Sequence, residues 1–289
     1  MRKSFAQVLR EGNVDIRQEY SKLYSILHQE AFEHRTKSLY DVFGENFAHF
    51  YFRGTCLSIE EFDQKYGFKF EADPDDFNID YLVSFCEYLQ NMLFGLQAAD
   101  FSGGYGGFAS MEVNIPFILE QIRLVIEAIG YTSANDDGKT IFVEKSPAAI
   151  AVSESNLIPI ELSYKVLEYD HYALKGDIEK KKHIILQLAQ ILEARSNELQ
   201  KISSSLKDDL FFLFNNLNLR HNNVDPSNKG KYKRFVSELD KGQLEHWYDE
   251  TYQMCLLAFW LTKGNPWLCQ GKRGAYSEQR SRQRKNSPL

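Results

Sequence analysis

Between Leu206 and Leu217 apolar side chains return every three or four positions, as Leu206, Leu210, Leu213, Phe214 and Leu217. The same spacing runs through Leu244, Trp247, Tyr248, Thr251, Cys255, Ala258 and Phe259. Each run predicts a helix whose apolar face must be covered by another element. Between them lies a compact polar cluster, Arg220, His221, Asn222, Asn223, Val224 and Asp225. The second half of the chain is therefore constrained to pack two apolar helices that meet at a polar elbow. Ser205 with Asp208 predicts a capping box where the first of them begins.

The first half reads as helical too. Ile16, Tyr20, Leu23, Tyr24, Leu27 and Ala31 form one helical face behind Asp15, and Leu39, Val42, Phe43, Phe47, Phe50 and Tyr51 form another that is expected to end near Gly54. Ser58 with Glu61 predicts a capping box before a short helix carrying Phe62 and Tyr66. Asp80 is expected to cap a helix that ends at Gly95, and Asn114 one that ends at Gly130. The glycine-rich stretch from Phe101 to Phe108 reads either as a phosphate-binding or base-stacking loop or as a connector pinned by aromatics.

Residues 131 to 144 predict a hairpin, with Tyr131 on the first strand, a turn at Asp136, Asp137 and Gly138, and a second strand from Thr140 to Glu144. The Gly-Lys-Thr run inside it is not a Walker loop. Ser133 stands where that loop's first glycine belongs, and β-branched and aromatic residues follow in place of a helix. Pro147 marks the expected domain boundary. Asp177 precedes a long helix with Ile184, Leu188, Ile191, Leu192 and Leu199 inward and Lys180, Lys181 and Lys182 outward. The expected architecture is mainly α and two-domain, with a helical N-terminal domain and small hairpin over 1–146 and a helical bundle over 147–265.

Residues 266–289 are read as a basic, disordered tail. From 272 onward it carries six cations against Glu278, a charge of +5 that leaves −11 for the rest of a chain with a net −6. That acidic balance argues against a general nucleic-acid coat. Cys56, Cys86, Cys255 and Cys269 form no CxxC pair and read as reduced thiols. The start of the chain lacks the apolar run of a secretion signal. The longest apolar run, Met254 to Leu261, is far short of the roughly 20 residues of a membrane span. A cytoplasmic protein with no membrane association is expected.

Among signatures of chemistry, HExxH, GxSxG and protease-like Cys/His patterns are all absent, so no metal or other cofactor is expected. The elbow is different. Cleaving RNA without metal needs a base for the ribose 2′-hydroxyl, an acid for the leaving oxygen and a cation for the phosphate. His221 suits the first two roles, and Arg220 the third through its forked guanidinium. Asn222, Asn223 and Asp225 are candidate substrate-binding residues. The same residues also suit a purely structural elbow, with the asparagines and Asp225 as turn formers, Arg220 paired to Asp208, Asp209 or Asp249, and His221 capping a helix end.

The stretch LNLRHNNVDP resembles the signature of HEPN domains, an Arg, a polar residue, three variable residues and a His. Arg220 and His221 fit the first two places, and Asp225 stands in the last. The flanking segments LEYDHYALKGDIEKKKHIILQLAQILEARSNEL and ELDKGQLEHWYDETYQMCLLAFWL are similar to those of abortive-infection proteins of the AbiJ type. The resemblance implies a HEPN-like helical bundle and an antiviral, phage-defence role. Its chemistry would be that of a metal-independent ribonuclease with catalytic Arg220 and His221, acting on RNA as a homodimer through the C-terminal helices and responding to a phage-derived trigger. It equally implies, as the alternative, an inactive scaffold or antitoxin that binds a protein or RNA partner.

Overall fold

The computed structural model describes residues 14–32, 34–102, 113–136 and 138–262. The expectations for most of the glycine-rich stretch, for Asp137, and for the basic tail with Cys269 fall outside the described residues. The chain divides into two compact units, Met1–Lys145 and Ser146–Leu289. Both are mainly helical, and the first carries a two-stranded antiparallel hairpin.

In the first unit, helix α1 (Ile16–His28) starts at Asp15, whose carboxylate accepts the Arg17 and Gln18 N–H groups. Helix α2 (Leu39–Asn46) opens with a reciprocal box between Ser38 and Asp41. Helix α3 (Ile59–Tyr66) shows half of the expected box: Ser58 accepts the Glu61 N–H, but the Glu61 carboxylate takes the Leu57 N–H. Helix α4 (Ile79–Ser102) buries Leu82, Phe85, Cys86, Leu89, Leu93 and Leu96. It is capped by Asn78, which accepts the Tyr81 N–H, while Asp80 lies inside its first turn. Nor does it stop at Gly95. A Cβ there would meet the Phe52 ring at 2.9 Å and the Phe50 ring at 3.0 Å, so the glycine serves close packing rather than termination.

Helix α5 (Ile115–Ala128) is capped by Asn114 and leads through Gly130 into strands β1 (Tyr131–Asp136) and β2 (Lys139–Glu144), paired from Tyr131–Glu144 to Asp136–Lys139. The expected hairpin is therefore present. The side of β2 away from β1 is fastened to α4. Asn91 Nδ2 donates to the Thr140 carbonyl at 2.8 Å, its Oδ1 accepts the Thr140 N–H at 2.9 Å, and Glu87 Oε1 accepts the Phe142 N–H at 2.6 Å. Beneath α4, Asp63 Oδ2 accepts from the Tyr40 and Tyr88 hydroxyls at 2.8 and 3.2 Å, while its Oδ1 is buried without a partner.

The second unit comprises α6 (Pro147–Ser153), α7 (Ile160–Glu168), α8 (Ile178–Ala194), α9 (Ser196–Ile202), α10 (Ser204–Asn216), α11 (Arg234–Ser237) and α12 (Lys241–Thr262). Its core joins Ile184, Ile185, Leu188 and Leu192 of α8 to Tyr248, Tyr252, Cys255, Leu256 and Phe259 of α12, with Leu210 and Phe214 of α10. Two boundaries differ from expectation. The helix after Asp177 ends at Ala194, so Leu199 belongs to α9, and α10 is capped by Ser203, which accepts the Leu206 N–H, rather than by Ser205. On α12, Leu257 and Trp260 are each 46% exposed and Trp247 42%, so its outer face is left open by the described residues. No helix of the described residues is long and apolar enough to cross a membrane.

Candidate functional site

The elbow begins where α10 ends. Leu217 and Leu219 are buried on either side of Asn218, which turns the chain at φ 54, a left-handed conformation that asparagine tolerates. Asn223 is fully buried, and its amide is spent on backbone groups. Its Oδ1 accepts the Asn218 N–H at 2.8 Å, and its Nδ2 donates to the carbonyls of Asn215 at 3.2 Å and Lys231 at 2.6 Å. Burial and this bonding leave it no polar side-chain atom for a substrate. Its carbonyl also accepts the Lys233 N–H at 2.8 Å.

Arg220 is paired with Glu193, near the end of α8, and not with any of the three aspartates that the sequence suggested. Asp249 instead binds Lys181. The Arg220 guanidinium lies 5.0 Å over the Phe214 ring, and its Nη2 is buried without a hydrogen bond. His221 is half-buried, and its imidazole makes no hydrogen bond among the described residues. Asn222 is exposed. Asp225 faces forward along the chain, where Oδ1 accepts the Ser227 N–H at 2.8 Å and the Ser227 hydroxyl at 2.7 Å. Those two bonds hold its carboxyl below the ordinary range.

Arg220 and His221 are thus adjacent, but a carboxylate already occupies the cation and Asp225 is turned to its own loop. Beyond Asp225 the chain carries Lys229, Lys231, Lys233 and Arg234. Arg234 pairs with Glu238, whereas the three lysines have no acidic partner among the described residues. Asn223 binds this basic segment at both Lys231 and Lys233, through its side-chain amide and its backbone carbonyl, so a buried residue positions a cationic turn.

Lys181, expected on an outward face, is buried. Its amine meets Glu245 Oε1 at 2.6 Å and Asp249 Oδ1 at 2.8 Å, and both acids stand on α12. The Tyr169 hydroxyl donates to the same Asp249 oxygen at 3.0 Å, and its ring stacks on Tyr252 at 3.8 Å. Burial alone would push the Lys181 amine down, but the two carboxylates outweigh it and hold it above its ordinary value. Burial pushes Glu245 up, and Lys181 with the Gly176 N–H more than reverses that. One ammonium thus serves two carboxylates, and the cluster clasps α8 to α12. Its signal was in the spacing: Lys181 shares the helical face of Ile184, Ile185, Leu188 and Leu192.

No family model, curated protein or solved structure matches this chain.

Proposed function

We propose that the C-terminal unit is a non-catalytic interaction module that binds RNA through the elbow and its basic extension. The observation that carries this is the double attachment of Asn223 to the segment bearing Lys229, Lys231 and Lys233. It fixes the backbone of a segment carrying three lysines that have no acidic partner among the described residues, and phosphate contacts of this kind supply affinity without reading sequence. Cleavage is disfavoured because the cation that it needs for the phosphate, Arg220, is already paired with Glu193, and Asp225 bonds Ser227 in its own loop. Homodimerisation is part of the proposal, with the exposed Trp247, Leu257 and Trp260 of α12 as the shared surface.

Filter binding of the full chain to single-stranded RNA across a salt series tests this. Changing Lys229, Lys231 and Lys233 together to Ala should weaken binding and lower the salt slope by about 2, with the RNA intact throughout. An unchanged slope overturns the RNA-binding reading.

One observation favours the second reading, an abortive-infection ribonuclease triggered through the N-terminal unit. His221 makes no hydrogen bond among the described residues and follows Arg220 directly in the chain, so an acid–base group and a cation stand on consecutive residues. EDTA-resistant cleavage that leaves 2′,3′-cyclic phosphate ends and is lost in His221→Ala would establish it in place of the first.

A further inference from the structure

The N-terminal unit contains a cavity of about 330 Å³, within the range of about 300–1,000 Å³ typical of small-molecule sites. Helix α4 forms its floor through Ser84, Tyr88 and Met92, and residues 139–141 of β2 form one wall. The opposite wall is aromatic, with Phe52, Phe62, Tyr66 and Phe68. Phe62 lies 4.8 Å from Tyr66 and 5.8 Å, nearly parallel, from Phe68, which in turn lies 5.2 Å from Tyr88. Tyr66 is half exposed, so part of this ring set is open to a guest.

The polar groups around the cavity divide into spent and free. Both ends of the Asn91 amide are bonded to Thr140, and Glu87 accepts the Phe142 N–H. The buried Asp63 behind Tyr88 already accepts from two tyrosines. By contrast, the Ser84 hydroxyl has no hydrogen bond among the described residues, and the Lys139 ammonium has no acidic partner there. Lys65, whose Nζ sits 5.4 Å over the outer ring of Tyr66, likewise has no acidic partner among them. Two lysines thus bring positive charge without an acidic partner among the described residues, Glu87 being the one acid of the lining, and the rings offer apolar faces.

We infer that this cavity binds a small planar aromatic molecule bearing one negative group, its ring against Phe62, Phe68 and Tyr88 and its anion toward Lys139. Ring stacking and the apolar floor supply the affinity, and the lysine supplies orientation. An aliphatic anion of equal charge lacks the stacking faces, and a neutral aromatic lacks the ion pair.

Isothermal titration of the full chain at low ionic strength with 2-naphthoate, 2-naphthamide and octanoate separates these contributions. Naphthoate should saturate one site, naphthamide should bind that site about threefold to fivefold more weakly, as an exposed ion pair allows, and octanoate should show no saturable binding. Lys139→Gln should bring naphthoate down to the naphthamide level and leave naphthamide unchanged. Tyr66→Ala, at a half-exposed position where folding is not at risk, should weaken both aromatics. Absence of saturable naphthoate binding, equal binding of octanoate, or indifference to Lys139→Gln would each overturn the inference.

Discussion

Asn218 and Asn223 hold each other's backbone: the Asn218 N–H donates to Asn223 Oδ1 at 2.8 Å, and the Asn223 N–H donates to Asn218 Oδ1 at 3.3 Å. Two side chains thus bridge a turn that leaves α10 through a left-handed residue, doing what a pair of strands does with backbone alone. Of the residues flanked by this pair, Arg220 folds back onto Glu193 and Phe214, His221 is half-buried, and Asn222 is exposed.

That pairing separates two variants that sequence would treat alike. Asn223→Ala removes one acceptor and two donors from a fully buried position and should lower stability by at least about 2 kcal/mol, read from urea midpoints. His221→Ala, which breaks no hydrogen bond, should stay within about 0.5 kcal/mol of the parent. A similar loss for both would contradict this account of the elbow.

The Lys181 clasp should show as a pH dependence of stability. Lys181 is raised in the folded state, so its contribution is fully present below the ordinary lysine value of 10.5 and is lost as pH rises through its folded value. Glu245 is lowered, so its share is present above the ordinary 4.5 and is lost as pH falls through its folded value. Lys181→Ala should cost about 2 kcal/mol between those limits, since it leaves Glu245 with the Gly176 N–H alone and Asp249 with the Tyr169 hydroxyl. The cost should shrink in acid, and a pH-independent cost in chemical denaturation would argue against the clasp.

Asp63 behaves in the opposite sense. Burial raises its carboxyl despite the two tyrosine donors. The folded state therefore favours the protonated form, and a penalty develops as pH rises from the ordinary 3.8 through the raised value. Asp63→Asn, which keeps an acceptor for Tyr40 and Tyr88, should gain on the parent steadily over that interval and hold its gain above it. Parallel stability curves for parent and variant would disprove this.

The Cys86 and Cys255 thiols have no exposed surface, and burial pushes both far above the ordinary thiol range. In the native protein at about pH 8 neither should take up iodoacetamide, because the thiolate is the reactive form. Both should label on unfolding in urea, as peptide mass spectrometry will show. Rapid native labelling at either site would place it outside the core.

Periodicity exposed most helices to a reading of the sequence, because the apolar spacing of α1, α5, α8 and α12 is imposed by one-sided burial. It misled where a residue's usual meaning yielded to tertiary contact. Gly95 has the look of a helix stop, yet it lies inside α4 because two phenylalanine rings from elsewhere in the fold need the space. Lys181 sits in a run of three lysines that reads as a solvated face, and only the acids of α12, more than sixty positions away, make its burial tolerable. At the elbow, the turn-forming character of Asn223 and Asp225 was readable. The partner of Arg220 was not, because Glu193 reaches it from the end of another helix.

Glu87 and Asn91 also limit how the N-terminal unit meets other proteins. A lone hairpin ordinarily presents hydrogen-bonding groups onto which a foreign strand can be zipped. Along β2 the amides of Thr140 and Phe142 and the carbonyl of Thr140 are already taken by side chains one helical turn apart. Recruitment through that strand would first have to strip α4 from its own hairpin. Any partner approaching from this side must be recognised by the side chains it meets, not by its willingness to become a third strand.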